Sequence, residues 1–304
     1  MRPRALGRAL LVTVTVVVAG AWGAGGATGS RTVSGVPADT LLDVRRGERL
    51  VVTNVAGSLS VEAWEEDRLE LRTPERGGDL VVRREGTTLL VTGRNGPRGG
   101  RARSEARLRI PSWMELVVEG IRVDVEVRGL AGRVSVRTVS GDVRLAGTSG
   151  QVEARSVDGL VLAEGVSGRH VLTSQSDDVR VTGATGALEV RSGSGDLLLE
   201  GVRAERLRAE TQDGDLTFSG PLVPGGTYAF FVHHGDVALR LPDDAGGRVR
   251  VSTFAGEFRS DFPVVLPSFR SGRAFEFELG GGGAAVTVEV FDGEIRLVRQ
   301  GDAP

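Results

Sequence analysis

A repeated phrase is the feature that most constrains the fold of this chain. The phrase Ser140-Gly141-Asp142-Val143-Arg144-Leu145 returns in variants along more than a third of the sequence. Its turn residue recurs at positions 120, 141, 159, 177, 195, 214, 235 and 256, at spacings of 18 to 21 residues. A repeat of this period is typical of solenoids and other stacked arrays, in which each unit is one small supersecondary element.

Stacking the repeats aligns the apolar residues in columns. One column contains Val143, Val161, Val179, Leu197, Leu216 and Val237, and another contains Leu145, Ala163, Val181, Leu199, Phe218 and Leu239. The positions between them are mostly polar, and this alternation with a period of two indicates short β-strands. A unit of about 18 residues cannot close a core alone, whereas stacked units can. The columns therefore predict an all-β solenoid with coils of about 18–21 residues; a β-sandwich of hairpins is the alternative, and the strict register favours the solenoid.

The flanks of the regular repeats predict the rest of the organisation. Residues 31–118 alternate less regularly and are interpreted as an N-terminal β section of the solenoid, followed by regular repeats over 119–262. The segment 263–304 opens with a stretch rich in Pro and Gly and then restates the repeat as Phe291-Asp292-Gly293-Glu294-Ile295. Because a solenoid needs end coils that protect its outer edges, 263–304 is predicted to be a loop followed by a C-terminal capping coil.

Composition excludes several kinds of chemistry. The chain has no Cys, which excludes disulfides, thiolate metal sites and Cys nucleophiles. All 38 basic residues are Arg, so lysine Schiff bases and P-loops are excluded as well. Gly is abundant, at 45 of 304 residues, and much of the excess falls in turn columns of the repeat.

Residues 1–30 have the layout of a secretory signal peptide. Three Arg precede an apolar run from Ala9 to Ala21, and Ala19-Gly20-Ala21 is a cleavage candidate. An uncleaved N-terminal anchor is the alternative, because no charge occurs between Arg8 and Arg31. We expect an exported protein, periplasmic, on the cell surface or secreted, that touches a membrane only through a retained leader. The net charge of −2 becomes −5 without the three leader Arg, which argues against nucleic acid as a partner.

The Ser-Gly-Asp phrases resemble a bacterial family of envelope proteins of unknown function, built of β-strand repeats and labelled putative adhesin. Three other pieces are similar to it, namely Asn54–Trp64, Leu108–Pro111 and Phe291–Ile295. The resemblance covers roughly residues 50–298, although Asp177 stands where a turn Gly is expected. It implies a right-handed β-solenoid (β-helix) at the cell envelope, and it carries over no catalytic residues.

An acidic column is the sharpest constellation of chemical groups. It follows the turn Gly and contains Asp142, Asp178, Asp196, Asp215, Asp236 and Glu257. Stacked carboxylates about 5 Å apart would repel, and Ca²⁺ could bridge them. However, Asp in turns also accepts backbone N–H bonds, Leu160 interrupts the column, and no glycine-rich calcium repeat is present. The sequence predicts no metal site, and these six residues are the candidates for a cation ladder if one exists.

Histidines and hydroxyls offer weaker candidates. His170 falls in an inward apolar column and is interpreted as a core residue, and His233 and His234 are predicted to point to opposite faces of a strand. An inward hydroxyl column, predicted to bond to backbone, contains Thr138, Ser156, Ser174, Ser192 and Thr211.

These observations predict an exported, non-enzymatic, adhesin-like β-solenoid that binds or scaffolds. Its partner would be an unknown envelope protein or polysaccharide, recognised by exterior strand faces bearing Arg, Glu and Asp, and no cofactor is expected. The alternative is a polysaccharide-active hydrolase or lyase using the acidic column. Against it, aromatics make up only 5% of the chain, and Phe218, Tyr228 and Phe230 fall in inward columns. The oligomeric state is left open.

Overall fold

The computed structural model describes residues 39–73, 80–93, 103–264, 274–281 and 283–300; the predicted signal peptide lies outside them. Within these ranges the chain forms 24 β-strands and no helix. The described residues therefore contain no helix that could cross a membrane. The strands are β1 Asp39–Asp43, β2 Arg49–Trp64, β3 Arg68–Arg72, β4 Leu80–Glu85, β5 Thr88–Gly93, β6 Arg103–Pro111, β7 Glu115–Arg128, β8 Val134–Ser140, β9 Val143–Ala146, β10 Ser149–Asp158, β11 Val161–Glu164, β12 Ser167–Ser174, β13 Val179–Thr182, β14 Thr185–Ser192, β15 Leu197–Glu200, β16 Arg203–Asp213, β17 Leu216–Ser219, β18 Thr227–His234, β19 Val237–Leu241, β20 Gly247–Ala255, β21 Phe258–Ser260, β22 Phe275–Leu279, β23 Ala284–Asp292 and β24 Ile295–Arg299.

Two parallel ladders run through the regular repeats. The first joins β8, β10, β12, β14, β16 and β18, and the second joins β9, β11, β13, β15, β17 and β19. Val152 pairs with His170 and Val161 with Val179, each 18 residues further along the chain. A chain that pairs with its own next repeat in two separate ladders winds as a solenoid. The predicted all-β, solenoid-like fold is confirmed.

The predicted inward columns form the core. Val143, Val161 and Val179 are completely buried, and so are Leu216 and Phe218. Each such side chain contributes roughly 1.5–3 kcal/mol relative to an exposed one, but only when the neighbouring coils cover it. The stability of the solenoid is therefore a property of the stack rather than of any single coil.

The last coil of the chain is not the last coil of the stack. β23 pairs in parallel with β18 on one side and with β20 on the other, and β24 lies in the same way between β19 and β21. The outermost coil is thus formed by residues 247–260, and β22 closes it as an antiparallel partner of Gly247–Val251. The prediction of a C-terminal capping coil is wrong. The two coils alternate in the same way, so their spatial order could not be read from the sequence.

The N-terminal section has the same arrangement. β2 pairs in parallel with β7 on one side and with β5 and β6 on the other. Antiparallel strands then cover this end, because β4 pairs with β5, β3 with β6 and β1 with β3. At both ends, therefore, the coil nearest the chain terminus is the second in the stack. The covering strands protect parallel edges that could otherwise template aggregation.

Candidate functional site

The hydroxyl column braces the turns. Each hydroxyl donates to a carbonyl of the preceding coil: Ser156 Oγ to Gly141 O at 3.1 Å, Ser174 Oγ to Gly159 O at 3.0 Å and Ser192 Oγ to Asp177 O at 3.0 Å. All three side chains are buried. The interpretation of this column as hydroxyls that bond to backbone is confirmed.

The acidic column forms a ladder of carboxylates and backbone amides. Asp178 Oδ1 accepts the N–H of Asp196 at 2.9 Å, Asp196 Oδ1 that of Asp215 at 2.8 Å, and Asp215 Oδ1 that of Asp236 at 2.8 Å. The next rung runs from Glu294 N–H to Asp236 Oδ1 at 2.8 Å, because the C-terminal coil follows here in space. The carboxylates accept backbone N–H groups, as expected for Asp in turns. Most of the donors, however, lie in the next coil rather than in the same turn.

Arginines occupy the remaining oxygens of several of these carboxylates. Arg144 bonds Asp142 Oδ2 at 2.8 Å, and Arg180 bonds Asp178 Oδ2 at 3.1 Å. At the C-terminal coil, the hydrogen bond from Arg296 lowers the pKa of Glu294 below its ordinary value. In the described part of the chain, no group of three or more His, Asp or Glu side chains has a geometry that could hold a metal ion.

Replacing Asp196 by Ala should lower the free energy of unfolding by about 1 kcal/mol, because the N–H of Asp215 loses its acceptor. Asp196→Asn keeps an acceptor oxygen and should cost less. Chemical denaturation with added Ca²⁺ and with a chelator measures both, and we expect no effect of either additive. A gain from Ca²⁺ in the wild type that disappears in Asp196→Ala would instead support a cation ladder.

His170 is a core residue, as interpreted from its column. It is 1% exposed, lies between Val152 and Leu188 in the first ladder, and its Nε2 is 3.2 Å from Thr148 Oγ1. Burial lowers the pKa of His170 from 6.5 to about 4. The imidazole is therefore neutral at pH 7 and sealed from any substrate.

This buried imidazole should make the fold acid-sensitive. Since the folded-state pKa is lowered, His170 takes up a proton more readily when the chain is unfolded. The contribution of neutral His170 to the free energy of unfolding is complete above pH 6.5. It declines as the pH falls toward 4, by up to about 3 kcal/mol. Urea unfolding at pH 7.5 and 4.5 measures the loss. The double variant His170→Leu, Thr148→Val keeps this part of the core apolar and should lose about 2.5 kcal/mol less than the wild type between the two pH values. Equal losses would refute this role.

His233 and His234 do not point apart as predicted. Both are exposed at the end of β18, where the chain turns, and their ring centroids are 4.3 Å apart. His234 Nδ1 also lies 3.2 Å from Asp213 Oδ1 on the neighbouring strand. The strict alternation of a strand fails here because the backbone is already entering the turn.

Exposed apolar side chains concentrate in one outer column. Of the six large hydrophobic side chains that are exposed in the described chain, Leu41 alone lies elsewhere. The column stands two residues before the turn residue of each repeat, on the outer face of the first ladder. We call it the ridge, and in spatial order it contains Ile121, Val139, Val157, Gln175, Gly193, Gln212, His233, Phe291 and Phe254. Its apolar side chains form two patches, one toward each end, which Gln175, Gly193 and Gln212 separate. No residue of the ridge is an acid or an Arg, although 26% of the whole chain is charged.

Aromatic rings form the C-terminal end of the ridge. His233 stacks on Phe291 with centroids 4.7 Å apart, and Phe291 stacks on Phe254 at 4.9 Å with an interplanar angle of 5°. These separations match the spacing of neighbouring strands, so the rings stand face to face along the stack and turn their edges outward. Phe254, 73% exposed, is the terminal ring and offers its outer face. A groove of about 620 Å³ beside the rings is also lined by Phe231.

Charged side chains of both signs flank the ridge. The row two residues before it on the strands holds three Arg and three Glu, namely Arg137, Arg155, Arg191, Glu119, Glu210 and Glu289, and Arg137 and Arg155 each reach Glu153 at 3.0 Å. On the other side, at the turns, the exposed Asp158, Asp213 and Asp292 share their row with the exposed Arg122. Neither flank of the ridge therefore carries charge of a single sign.

Sequence reasoning missed the ridge, although the signal was present. The prediction assigned recognition to the charged exterior positions and looked for aromatics only in the inward columns. Phe218, Tyr228 and Phe230 are indeed buried, as expected. Val139, Val157 and Phe254 share one outward position of the repeat, and aligning that position alone would have revealed the ridge.

Comparisons with known proteins address the family and the fold. No curated protein matches the chain. A solved structure of a putative adhesin from Parabacteroides distasonis is 9% identical, with a TM-score of 0.37 and coverage of 86% of this chain and 96% of that one. A putative cell adhesion protein from Clostridium sporogenes is 10% identical, with a TM-score of 0.23 and coverage of 86% and 98%.

The family match covers most of the sequence. Residues 45–298 match the family described as Toastrack DUF4097, from the N-terminal strands through the C-terminal coil. This confirms the resemblance to the putative-adhesin family that the Ser-Gly-Asp phrases suggested. The chain belongs to the Toastrack DUF4097 family.

Proposed function

We propose that this protein is an exported, non-enzymatic, adhesin-like module that binds or scaffolds other molecules at the cell surface or in the periplasm. The ridge is the observation that carries the proposal. Its exposed apolar side chains cluster in two patches, and clusters of this kind on an otherwise charged surface mark interaction sites. The leader of the sequence supports export, and the solenoid is taken to be right-handed, the hand that the family resemblance implies.

The ridge is suited to binding because it is held rigidly. Val139, Val157, His233 and Phe291 lie on strands that are paired on both sides along the ladder, and Val139 and Val157 are followed by turns braced by the hydroxyl column. A partner would therefore meet a preformed surface, and little ordering of the backbone would oppose binding.

A non-enzymatic role is supported by how the acidic groups are used. The carboxylates of the acidic column accept backbone N–H groups between coils, and several also bond Arg. A glycosidase needs two carboxylates in unlike environments, whereas these repeat one environment from coil to coil. His170 is buried.

A binding experiment with matched variants tests the proposal. The full chain is expressed with its leader, fractionated and incubated with isolated cell envelopes and with purified peptidoglycan. We expect export, retention by the envelope, and at least about tenfold weaker retention of Val157→Arg, Phe291→Arg. Leu41→Arg is the control, since Leu41 is 51% exposed but lies outside the ridge. Equal retention of the ridge variant, or release of sugar fragments by the wild type, would overturn the proposal.

A further inference from the structure

We infer that the aromatic end of the ridge binds an arginine side chain of a partner protein. The receiving groups are the exposed ring of Phe254 and the carboxylate of Glu289, and both line the groove beside the stacked rings. This inference rests on the proposed function, because it names the chemistry that one end of the ridge recognises.

The same face of the solenoid already holds one of its own arginines in this way. The guanidinium carbon of Arg208 lies 4.3 Å from the ring centroid of Phe231, and Arg208 Nη2 donates to Glu210 Oε2 at 3.0 Å. Phe231 and Glu210 are direct partners on neighbouring strands. The guanidinium is therefore held by two forces, attraction to the face of the ring and a charge-assisted hydrogen bond to the carboxylate.

The next two strands offer a ring and a carboxylate without an arginine. Glu289 is the strand partner of Phe231 on its other side, and Phe254 follows on β20. Glu289 is exposed, and its side chain makes no ion pair or hydrogen bond with any described residue. Arg250 is the arginine nearest to Glu289 in register, but it stands opposite Glu276 of β22. A guanidinium from a partner would therefore complete here what Arg208 completes one strand pair away.

The charges next to the aromatic rings favour a cation. On β16, β18, β23 and β20, the two rows that flank the ridge carry four carboxylates and no arginine, namely Glu210, Glu289, Asp213 and Asp292. Arg208 neutralises the first of these, and His234 lies 3.2 Å from Asp213. Neither Glu289 nor Asp292 has an Arg or His of the described chain within ion-pair distance.

The aliphatic end of the ridge lacks this bias. There the flanking rows hold Arg122, Arg137 and Arg155 together with Glu119 and Asp158. A cation approaching that end would meet charges of its own sign. Charge complementarity therefore selects the aromatic end of the ridge for a basic partner.

Arginine fits this end of the ridge better than a sugar or a lysine does. A sugar needs aromatic faces, but Phe291 is covered by a ring on each side and presents its edge. The planar guanidinium can lie flat on one ring, such as that of Phe254, and still donate hydrogen bonds to a carboxylate in its own plane. The ammonium of lysine is a compact, strongly hydrated charge and gains less from such a pair of groups.

Binding of defined peptides, measured by fluorescence anisotropy, tests the inference. The probe is a fluorescein-labelled, amidated peptide in which four Arg alternate with Gly. Its control carries citrulline, which has nearly the shape of arginine but no charge, at the same four places. We expect the purified full chain to bind the citrulline peptide about tenfold more weakly, since both the ring and the carboxylate recognise the charge.

Variants of the two receiving groups locate the site. Glu289→Gln and Phe254→Leu should each weaken binding of the arginine peptide by about two- to fivefold, and together by about tenfold. Leu keeps the apolar bulk of Phe254 and removes only the aromatic face. Glu119→Gln is the matched control, because it removes the same charge from the same row at the other end of the ridge, and it should leave the affinity unchanged. Circular dichroism confirms that each variant keeps its β-structure.

Four outcomes would overturn the inference. The first is equal affinity for the arginine and citrulline peptides, and the second is a lysine peptide that binds as tightly as the arginine peptide. The third is equal weakening by Glu289→Gln and Glu119→Gln, which would mean general attraction to an acidic protein. The fourth is failure to bind the arginine peptide while Phe254→Leu loses retention by peptidoglycan, which would assign the ring to a sugar.

Further outcomes separate this inference from the proposed function. A chain that does not bind the arginine peptide, but whose retention by envelopes still depends on Val157 and Phe291, would refute the arginine site and leave the proposed function standing. A chain that binds the peptide through Glu289 and Phe254, but is retained equally when Val157 and Phe291 are replaced, would support the arginine site. That second result would refute the ridge as the surface that holds the protein to the envelope.

Discussion

Ending the chain at Gly283, which removes β23 and β24, is expected to prevent folding of the C-terminal third rather than to shorten the solenoid by one coil. The removed strands lie between β18 and β20 and between β19 and β21, so both neighbours lose a parallel partner. The deletion also removes five large buried aliphatic side chains, Val286, Val288, Val290, Ile295 and Leu297. At roughly 1.5–3 kcal/mol each, their loss is as large as the whole net stability of an ordinary domain.

Thermal melting and limited proteolysis measure this effect. The truncated chain should become protease-sensitive from about β18 onward, whereas an ordinary end coil would leave the preceding coils protected. A synthetic peptide of residues 284–300, added in trans, should restore resistance because its place lies between two existing strands. A truncated chain that melts within a few degrees of the wild type would show that the last coil is only a cap.

The ladders could be predicted from the sequence because every coil repeats the same inward positions. Val143 and Val161 stand in equivalent places of successive repeats, and burial of one requires burial of the other. The order of the terminal coils could not be predicted in this way. Val286 and Val288 alternate just as Val249 and Val251 do, so the pattern does not say which pair lies next to β18. That choice depends on which strand closes the end, and β22 supplies the antiparallel closure.

The candidate site could be predicted only in part. The acidic column was visible, but its main hydrogen-bond donors lie 18 to 21 residues away and appear only when the coils are stacked. The ridge was visible as a column, although outward apolar residues such as Val139 resemble ordinary strand residues when each coil is considered alone. Stacking of His233, Phe291 and Phe254 depends on the inserted C-terminal coil, because Phe291 supplies the ring between the other two.

Replacing Gly168 by Ala should destabilise the protein by roughly 2–5 kcal/mol, more than the same change at Gly165 in the same coil. Both have positive φ, +102° at Gly168 and +58° at Gly165. A Cβ at Gly168 would lie 2.4 Å from the carbonyl oxygen of Gly150 in the preceding coil, whereas at Gly165 it would meet nothing within 4 Å. The left-handed conformation costs a non-glycine residue about 1–2 kcal/mol, and forced overlap in a packed stack costs about 1–3 kcal/mol more.

Two properties could require glycine at these positions, the left-handed backbone conformation and the close approach of the preceding coil. Urea unfolding of Gly168→Ala, Gly165→Ala and Gly165→Asn separates them. Asn tolerates the left-handed region better than Ala, so Gly165→Asn should be the mildest of the three changes. The equivalent glycine of the next coil is as crowded, because a Cβ at Gly186 would lie 2.4 Å from the carbonyl oxygen of Gly168. Gly186→Ala should therefore be as harmful as Gly168→Ala. Equal costs at Gly165 and Gly168 would mean that conformation alone requires glycine, and that the coils can separate enough to admit a methyl group.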